Sequence, residues 1–153
     1  MSVFMGPGGH AVCYYLRNGT LLNFVGLVET DEVSEESWTV KLPWDMLKAQ
    51  YAGWYPAIQA VIDAADKDQC YRWSLFNRPP IRAWSKGRVT LLGDSAHPTL
   101  PYLAQGAVMA IEDGYILGRA FDAYGSDIPT ALAKYEAARR VRANKTVTGS
   151  AEN

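Results

Sequence analysis

Residues 88–98 read RVTLLGDSAHP, an apolar run that ends in a glycine and an aspartate. A short apolar run bounded by turn residues is typical of a strand buried on both sides of a layered sheet. Ligands of open α/β sheets bind outside the carboxyl ends of such strands, which is where Asp94 is expected. The Asp94 carboxylate is therefore a candidate acceptor for the hydroxyl groups of a polyol.

The chain continues as TLPYLAQG through residues 99–106, and a helix is predicted from about Gln105 to Phe121. Pro98 and Pro101 stiffen the connection because each fixes its own φ. The first N–H groups of a helix lie at the positive end of its dipole, so this start favours an anion. Glycine at position 106 lets a flat ligand approach the backbone closely.

Near the beginning of the chain, two β-rich runs at residues 10–17 and 20–29 flank Asn18-Gly19. This dipeptide is typical of a two-residue hairpin turn. Such a turn predicts the following pairs: Arg17 with Thr20, Tyr14 with Asn23, and His10 with Leu27. His10 and Tyr14 then share one face of the hairpin. Because polar side chains on an inner face need partners, the two are candidates for substrate contact or for hydrogen bonds within the core.

The remaining elements are predicted from their helix and strand signals. They are strands at Trp38–Lys41 and Gln69–Phe76, helices at about Pro43–Ala52 and Pro56–Ala65, and a last helix from Asp127 to around Lys145. Gly6-Pro7-Gly8-Gly9 is predicted to be an irregular lead-in, and the acidic stretch 29–36 an exposed loop. Together these elements predict a mixed α/β (α+β) fold.

The composition is that of a globular chain, with 153 residues, 48% of them apolar, and a formal charge of −1. A nearly neutral chain has no global field for a polyanion, so nucleic acid is not an expected partner. No stretch approaches the ~20 apolar residues of a membrane helix, and a cytoplasmic location is expected. Cys13 and Cys70 are predicted to be buried free thiols. Two distant histidines and these cysteines have no zinc-ligand spacing, so no metal site is predicted.

Residues 87–114 resemble the second flavin fingerprint of class A flavin monooxygenases: Gly-Asp-(Ala/Ser)-Ala-His-Pro, then a Gln-Gly helix start and Ile-Glu-Asp. The resemblance implies FAD as cofactor, with Asp94 on the flavin ribitol and Pro98 over the ring. It also implies that the backbone of residues 103–106 meets the pyrimidine edge. The implied cofactor-contact residues are Gly93, Asp94, Pro98, Leu103, Ala104, Gln105 and Gly106.

Further segments, among them Gly8-Gly9-His10 and Trp73-Ser74-Leu75-Phe76, resemble the salicylate hydroxylase and 3-hydroxybenzoate 6-hydroxylase branch. The implied fold is p-hydroxybenzoate hydroxylase-like. Residues 1–85 would form part of the substrate domain, and residues 86–153 the C-terminal part of the FAD-binding domain. His10 and Tyr14 become the candidate catalytic residues. The implied reaction uses FAD, NAD(P)H and O₂ to hydroxylate a hydroxylated aromatic carboxylate.

The glycine-rich start of that family, G-x-G-x-x-G, has no counterpart, because the glycines at positions 6–9 precede a strand instead of following one. In the family this part holds the ADP half of FAD. We therefore expect a C-terminal part that associates with itself or with the missing N-terminal FAD-binding half. The chain alone is expected to be inactive.

Two other functions stay open at this point. Gly93-Asp94-Ser95 also resembles the start of the GDS-type esterase motif, with Ser95 as nucleophile and a histidine base required from elsewhere. Alternatively, the chain is a non-catalytic truncated remnant, or a partner-binding domain without flavin. His97 has a structural or a catalytic role, Glu112-Asp113 are interpreted as salt-linked helix residues, and the basic cluster from Arg139 to Lys145 as a solvated face.

Overall fold

The computed structural model describes residues 1–32 and 35–152. By internal packing the chain divides into two units, Met1–Ser74 and Leu75–Asn153. Both strands and helices are present, which confirms the predicted mixed fold. The domain boundary predicted between residues 85 and 86 is a division by function and not by packing, and it remains a prediction. No helix in the described ranges is both long and apolar enough to cross a membrane.

Unit 1 begins with a three-stranded antiparallel sheet in the order β1-β2-β3. Its strands are β1 (Ser2–Gly6), β2 (Gly9–Leu16) and β3 (Leu21–Val28). Arg17, Asn18 and Gly19 all have positive φ (48°, 54° and 87°) and Thr20 is right-handed, so the connection is a four-residue loop and not the predicted two-residue turn. The strands end at the pair Leu16 with Leu21, and the predicted pair of Arg17 with Thr20 is reduced to one hydrogen bond, from the Thr20 N–H to the Arg17 carbonyl at 3.3 Å. The pairs Tyr14 with Asn23 and His10 with Leu27 confirm the predicted register.

β1 was not predicted, because a five-residue run at the start of the chain carries too little alternation to signal a strand. The predicted irregular lead-in at residues 6–9 is instead the turn between β1 and β2. Gly8 adopts a φ of +68° there. Met5 and His10 are consequently cross-strand neighbours.

Two helices, α1 (Trp44–Gln50) and α2 (Pro56–Asp63), confirm the two predicted near these positions. They cover the sheet face that carries Ala11 and Cys13. The core of unit 1 joins these residues to buried helix side chains and their neighbours, including Tyr51, Ile58 and Ile62. Cys13 and Cys70 are buried free thiols, as predicted.

The prediction of strands at Trp38–Lys41 and Gln69–Phe76 is wrong. The two segments pair through a single bridge between Lys41 and Tyr71, flanked by backbone hydrogen bonds that join residues 40 and 42 to residues 72 and 70. Their alternating side chains do not lie on a sheet, and the rings of Trp38 and Trp73 contact each other with centroids 5.6 Å apart. Val33 and Ser34, in the predicted acidic loop, lie outside the described residues.

Unit 2 contains a short hairpin and two long helices. These elements are β4 (Ser85–Lys86), β5 (Val89–Thr90), α3 (Gly106–Tyr124) and α4 (Ile128–Ala151). The strand predicted from Arg88 to Gly93 is much shorter than expected, and it is not buried on both sides. β5 pairs with β4 across the turn at Gly87, and the side chain of Val89 is 68% exposed.

α3 and α4 pack against each other, and the core between them includes Met109, Tyr135 and Ala143. The Asp127 carboxylate accepts the Thr130 N–H, so it caps α4 as predicted. α4 runs past the predicted end near Lys145, because its buried stripe continues through Val147 to Ser150. The same stripe includes Arg139, which is 4% exposed. Its assignment to a solvated face was therefore wrong.

Candidate functional site

The predicted binding segment begins with a tight turn at Gly93–Ser95. The N–H groups of Ala96 and His97 both donate to the Gly93 carbonyl, at 2.9 Å. Gly93 has a φ of +59°, and a Cβ built on it would lie 3.2 Å from the Cβ of Ala110 on α3. Both conditions favour glycine. The turn thus lies against α3 about one helical turn from its start.

Asp94 lies on the outer side of this turn with its side chain exposed. Its carboxylate makes no hydrogen bond or ion pair with another residue of the described ranges, so its lone pairs are available to a ligand. Ser95 is different, because its hydroxyl donates to the Leu92 carbonyl at 2.7 Å. That hydroxyl is not aimed at a histidine base, and the esterase interpretation loses its nucleophile.

The start of α3 presents backbone N–H groups. Ala104 adopts the left-handed conformation (φ 51°, ψ 33°) after a single turn at Pro101–Leu103, and Gln105 returns to the right-handed region. A left-handed residue beside a right-handed one turns successive N–H groups toward one concave point. The first bond into the helix is donated by Met109 to Gln105. The N–H groups of residues 106–108 therefore have no acceptor within α3.

Glycine at position 106 has an additional structural reason. A Cβ there would lie 3.3 Å from Cγ2 of Thr99, so the close approach of the preceding loop already favours glycine. Pro98 and Gln105 are half-buried, while Leu103 and Ala104 are exposed. All seven predicted cofactor-contact residues thus lie on the turn at residue 93, the loop after it, or the start of α3.

Behind the turn lies a buried carboxylate, Asp113, with no exposed surface. Its Oδ2 accepts the Gly93 N–H at 3.0 Å and lies 2.5 Å from Nε2 of His97. Its Oδ1 accepts Nε–H of Arg139 at 2.7 Å. Arg139 also forms an ion pair with Glu112 at 2.6 Å. The prediction that Glu112 and Asp113 are salt-linked is confirmed, and His97 is held in a structural contact.

The electrostatics of this cluster keep both carboxylates ionised. Burial opposes ionisation of Asp113, but hydrogen bonds from Arg139, then from the Gly93 backbone and His97, outweigh it and hold its pKa below the ordinary value. The hydrogen bond from Arg142, followed by contacts with Arg139, lowers the pKa of Glu112. The indole Nε1 of Trp84 and Nδ1 of His97 are buried without a hydrogen-bond partner in the described ranges.

Asp113 and Arg139 are functional candidates that the sequence interpretation did not identify as such. The signal that places Arg139 is the spacing of Leu132, Tyr135, Arg139 and Ala143, which recurs every three or four residues. An arginine on such an apolar helix stripe is buried and needs a carboxylate partner.

His10 and Tyr14 lie in unit 1 on β2, four residues apart and therefore on the same face of the strand. Both are half-buried on the face opposite Ala11 and Cys13, the face that α1 and α2 leave uncovered. Met5, the neighbour of His10 across β1, is 78% exposed. This sheet face therefore offers polar side chains beside apolar ones, a combination suited to an aromatic ring with polar substituents.

The residues of unit 2 fit the flavin end of FAD. A ribitol chain needs hydrogen-bond acceptors, which the exposed Asp94 carboxylate supplies. The pyrimidine edge of a flavin is electronegative, and the free N–H groups at the start of α3 are donors at the positive end of a helix dipole. The left-handed Ala104 is a non-glycine residue in a costly conformation, and such residues cluster at binding sites.

The comparisons with known proteins agree with this fit. The FAD binding domain family matches residues 7–150. The chain is 40% identical over 152 residues to 3-hydroxybenzoate 6-hydroxylase of Polaromonas naphthalenivorans, which covers 99% of the chain and 37% of that protein. It is 41% identical over 127 residues to 6-hydroxynicotinate 3-monooxygenase of Pseudomonas fluorescens, covering 79% of the chain and 32% of that protein.

Among solved structures, HpxO of Klebsiella pneumoniae complexed with FAD and uric acid superposes with a TM-score of 0.82 and 30% identity. The match covers 98% of this chain and 38% of that one. The chain thus spans about a third of the length of the relatives that it matches. It belongs to the FAD binding domain family.

Proposed function

We propose that the chain is the flavin-facing, C-terminal part of a monooxygenase that hydroxylates a hydroxylated aromatic carboxylate. In this function FAD supplies the redox and oxygen chemistry when it is bound. The protein binds the flavin and the substrate, orients them and excludes water.

The observation that carries the proposal is the exposed carboxylate of Asp94, which has no partner among the residues that the structure describes. It lies on a turn that contacts α3 about one helical turn from the free N–H groups at the start of that helix. Asp94 accepts hydrogen bonds from the ribitol. The backbone of residues 103–106 meets the electronegative pyrimidine edge, and Pro98 lies over the ring. Exposed carboxylates without partners are common. Here a turn joins the carboxylate to the N–H groups of a helix start, which suits a ligand that has hydroxyl donors at one end and hydrogen-bond acceptors at the other.

The substrate class is supported by the relatives. Their names state hydroxybenzoate and hydroxynicotinate, which are aromatic rings carrying a hydroxyl and a carboxylate. His10 and Tyr14 provide an imidazole and a phenol on one sheet face, and both can hydrogen-bond such substituents. We assign them to substrate contact, with a role in proton transfer at the substrate hydroxyl.

The remaining functions belong to the whole protein. NAD(P)H is the reductant, and the ADP half of FAD is bound by an N-terminal half that corresponds to the rest of the relatives. Without that half, the exposed apolar residues of α3, such as Ile111 and Tyr115, favour self-association. A cytoplasmic location suits the two free thiols.

Titration of the chain with FMN, followed by quenching of flavin fluorescence, tests the assignment of Asp94. FMN carries the ring and the ribitol but no ADP half. Asp94→Asn removes the charge from the hydrogen bonds and is expected to raise the Kd about tenfold. Asp122→Asn, at an exposed carboxylate farther along α3, is the matched control and should leave the Kd unchanged. Equal Kd values for Asp94→Asn and the unaltered chain would refute the assignment.

A further inference from the structure

Asp113 binds the flavin-facing turn from inside. Its Oδ2 accepts the Gly93 N–H at 3.0 Å and lies 2.5 Å from Nε2 of His97. Gly93 begins the turn and His97 closes it, since the His97 N–H donates to the Gly93 carbonyl at 2.9 Å. One buried carboxylate oxygen therefore holds both ends of the turn that presents Asp94 to solvent.

Arg139 of α4 orients that carboxylate. Its Nε donates to Oδ1 of Asp113 at 2.7 Å, and its Nη2 donates to the Met109 carbonyl at 3.3 Å. A guanidinium has its donors fixed in one plane, so these two acceptors and the Glu112 carboxylate, all on α3, determine how it lies against that helix. Because Oδ1 is occupied by Arg139, Oδ2 remains for the turn.

The same buried stripe of α4 contacts the segment on both sides of the turn. The Tyr135 hydroxyl donates to the Leu91 carbonyl at 3.1 Å, before the turn. The Thr99 hydroxyl donates to Oγ of Ser150 at 2.7 Å, after it. α4 thus fixes the segment before, at and after the turn, with the middle contact made through Asp113.

We propose that Asp113, oriented by Arg139, is a positioning residue that determines where Asp94 lies and hence how tightly a flavin ribitol is held. Asp113 acts through the turn and does not touch the flavin. The inference rests on the proposed function for its flavin part only, because the position of the turn is measurable without flavin.

Amide hydrogen exchange of Gly93, measured by NMR on the ¹⁵N-labelled chain, tests whether Asp113 holds the turn. Asp113→Asn turns a donor toward at least one of the three groups that now donate to the carboxylate. The Gly93 amide is expected to exchange about ten- to hundredfold faster, since a charge-assisted buried bond is lost. The Ala143 amide, in the buried stripe of α4, should accelerate much less. An equal acceleration at both amides would mean that Asp113 stabilises the whole unit, and the proposal would be overturned.

The second step is tested by FMN titration of Asp113→Asn, Asp94→Ala and the double variant. Asp113→Asn should raise the Kd about tenfold when Asp94 is present and leave it unchanged in the Asp94→Ala background, because no carboxylate is left to position. Equal effects in both backgrounds would overturn the positioning role. If Asp94→Ala alone leaves FMN binding unchanged, the proposed flavin contact fails, and the exchange experiment by itself decides whether Asp113 holds the turn.

A second pair of variants decides the matter if circular dichroism shows that Asp113→Asn does not fold. His97→Ala removes one donor to the carboxylate and is expected to accelerate Gly93 exchange about tenfold. His97→Gln keeps an N–H donor near the same position and should restore the slow exchange. Asp122→Asn is the control and should change nothing. Unchanged Gly93 exchange in His97→Ala, or a failure of His97→Gln to restore it, would overturn the proposal.

Discussion

Replacing Arg139 by methionine tests whether the buried ion pair stabilises unit 2. Methionine keeps an apolar stem of similar length, so the packing of the arginine chain is largely retained. Asp113 stays fully buried and loses its cation, while Gly93 and His97 still donate to it. Breaking one side of a buried pair costs roughly 3–5 kcal/mol, and because two donors remain we expect about 3 kcal/mol.

The assay is urea denaturation at matched, low micromolar concentrations, so that any self-association affects all variants equally. With an m-value of about 2 kcal/mol/M, a loss of about 3 kcal/mol lowers the midpoint by about 1.5 M. The control is Arg142→Met. Arg142 is a half-exposed residue on the same helix that pairs with Glu112 at 2.9 Å, and such a pair contributes at most about 1 kcal/mol. Equal losses for the two variants would refute the account of the buried pair.

Three further predictions concern pH, substrate and assembly. The folded-state pKa of Asp113 is lowered, so the contribution of its carboxylate to stability is fully present above the unfolded pKa of about 3.9 and is lost as the pH falls through the folded pKa. The difference in urea midpoint between the unaltered chain and Arg139→Met should therefore become smaller below about pH 4. A difference that stays constant with pH would contradict this. In a protein that also contains the N-terminal FAD-binding half, His10→Ala or Tyr14→Phe should weaken substrate binding or slow hydroxylation while FAD stays bound. Steady-state kinetics and flavin absorbance measure the two effects. An equal loss of flavin would show that the two residues have a structural role instead. The chain alone should purify colourless and self-associate in sedimentation velocity experiments, and a yellow monomer with NAD(P)H oxidase activity would contradict this.

The sequence was most informative where local signals and geometry coincide. Asn18-Gly19 predicted where the chain reverses and the register that puts His10 and Tyr14 on one face, although the loop has four residues and not two. The helix start at Gln105-Gly106 was also predicted correctly, because glycine and proline spacing limits where a helix begins. These features depend on neighbours close in sequence.

Long-range packing was not predictable in the same way. The apolar run at residues 88–93 has the composition of a central strand. In the structure β5 has only two residues and pairs with the equally short β4, because the pairing of a strand depends on what lies beside it in space. Arg139 was interpreted as solvated because charged residues usually are. Its burial depends on Asp113, which is far from it in sequence and adjacent to it in the structure.

The central claim is that the turn at Gly93 and the start of α3 bind the flavin end of the cofactor. It is tested most directly by titrating the ¹⁵N-labelled chain with FMN to millimolar concentration and following the amide chemical shifts. The account predicts that the largest shifts occur at Gly93, Asp94 and residues 103–106 and that the amides of α2 remain unchanged. Shifts concentrated elsewhere, or none at millimolar FMN, would contradict it.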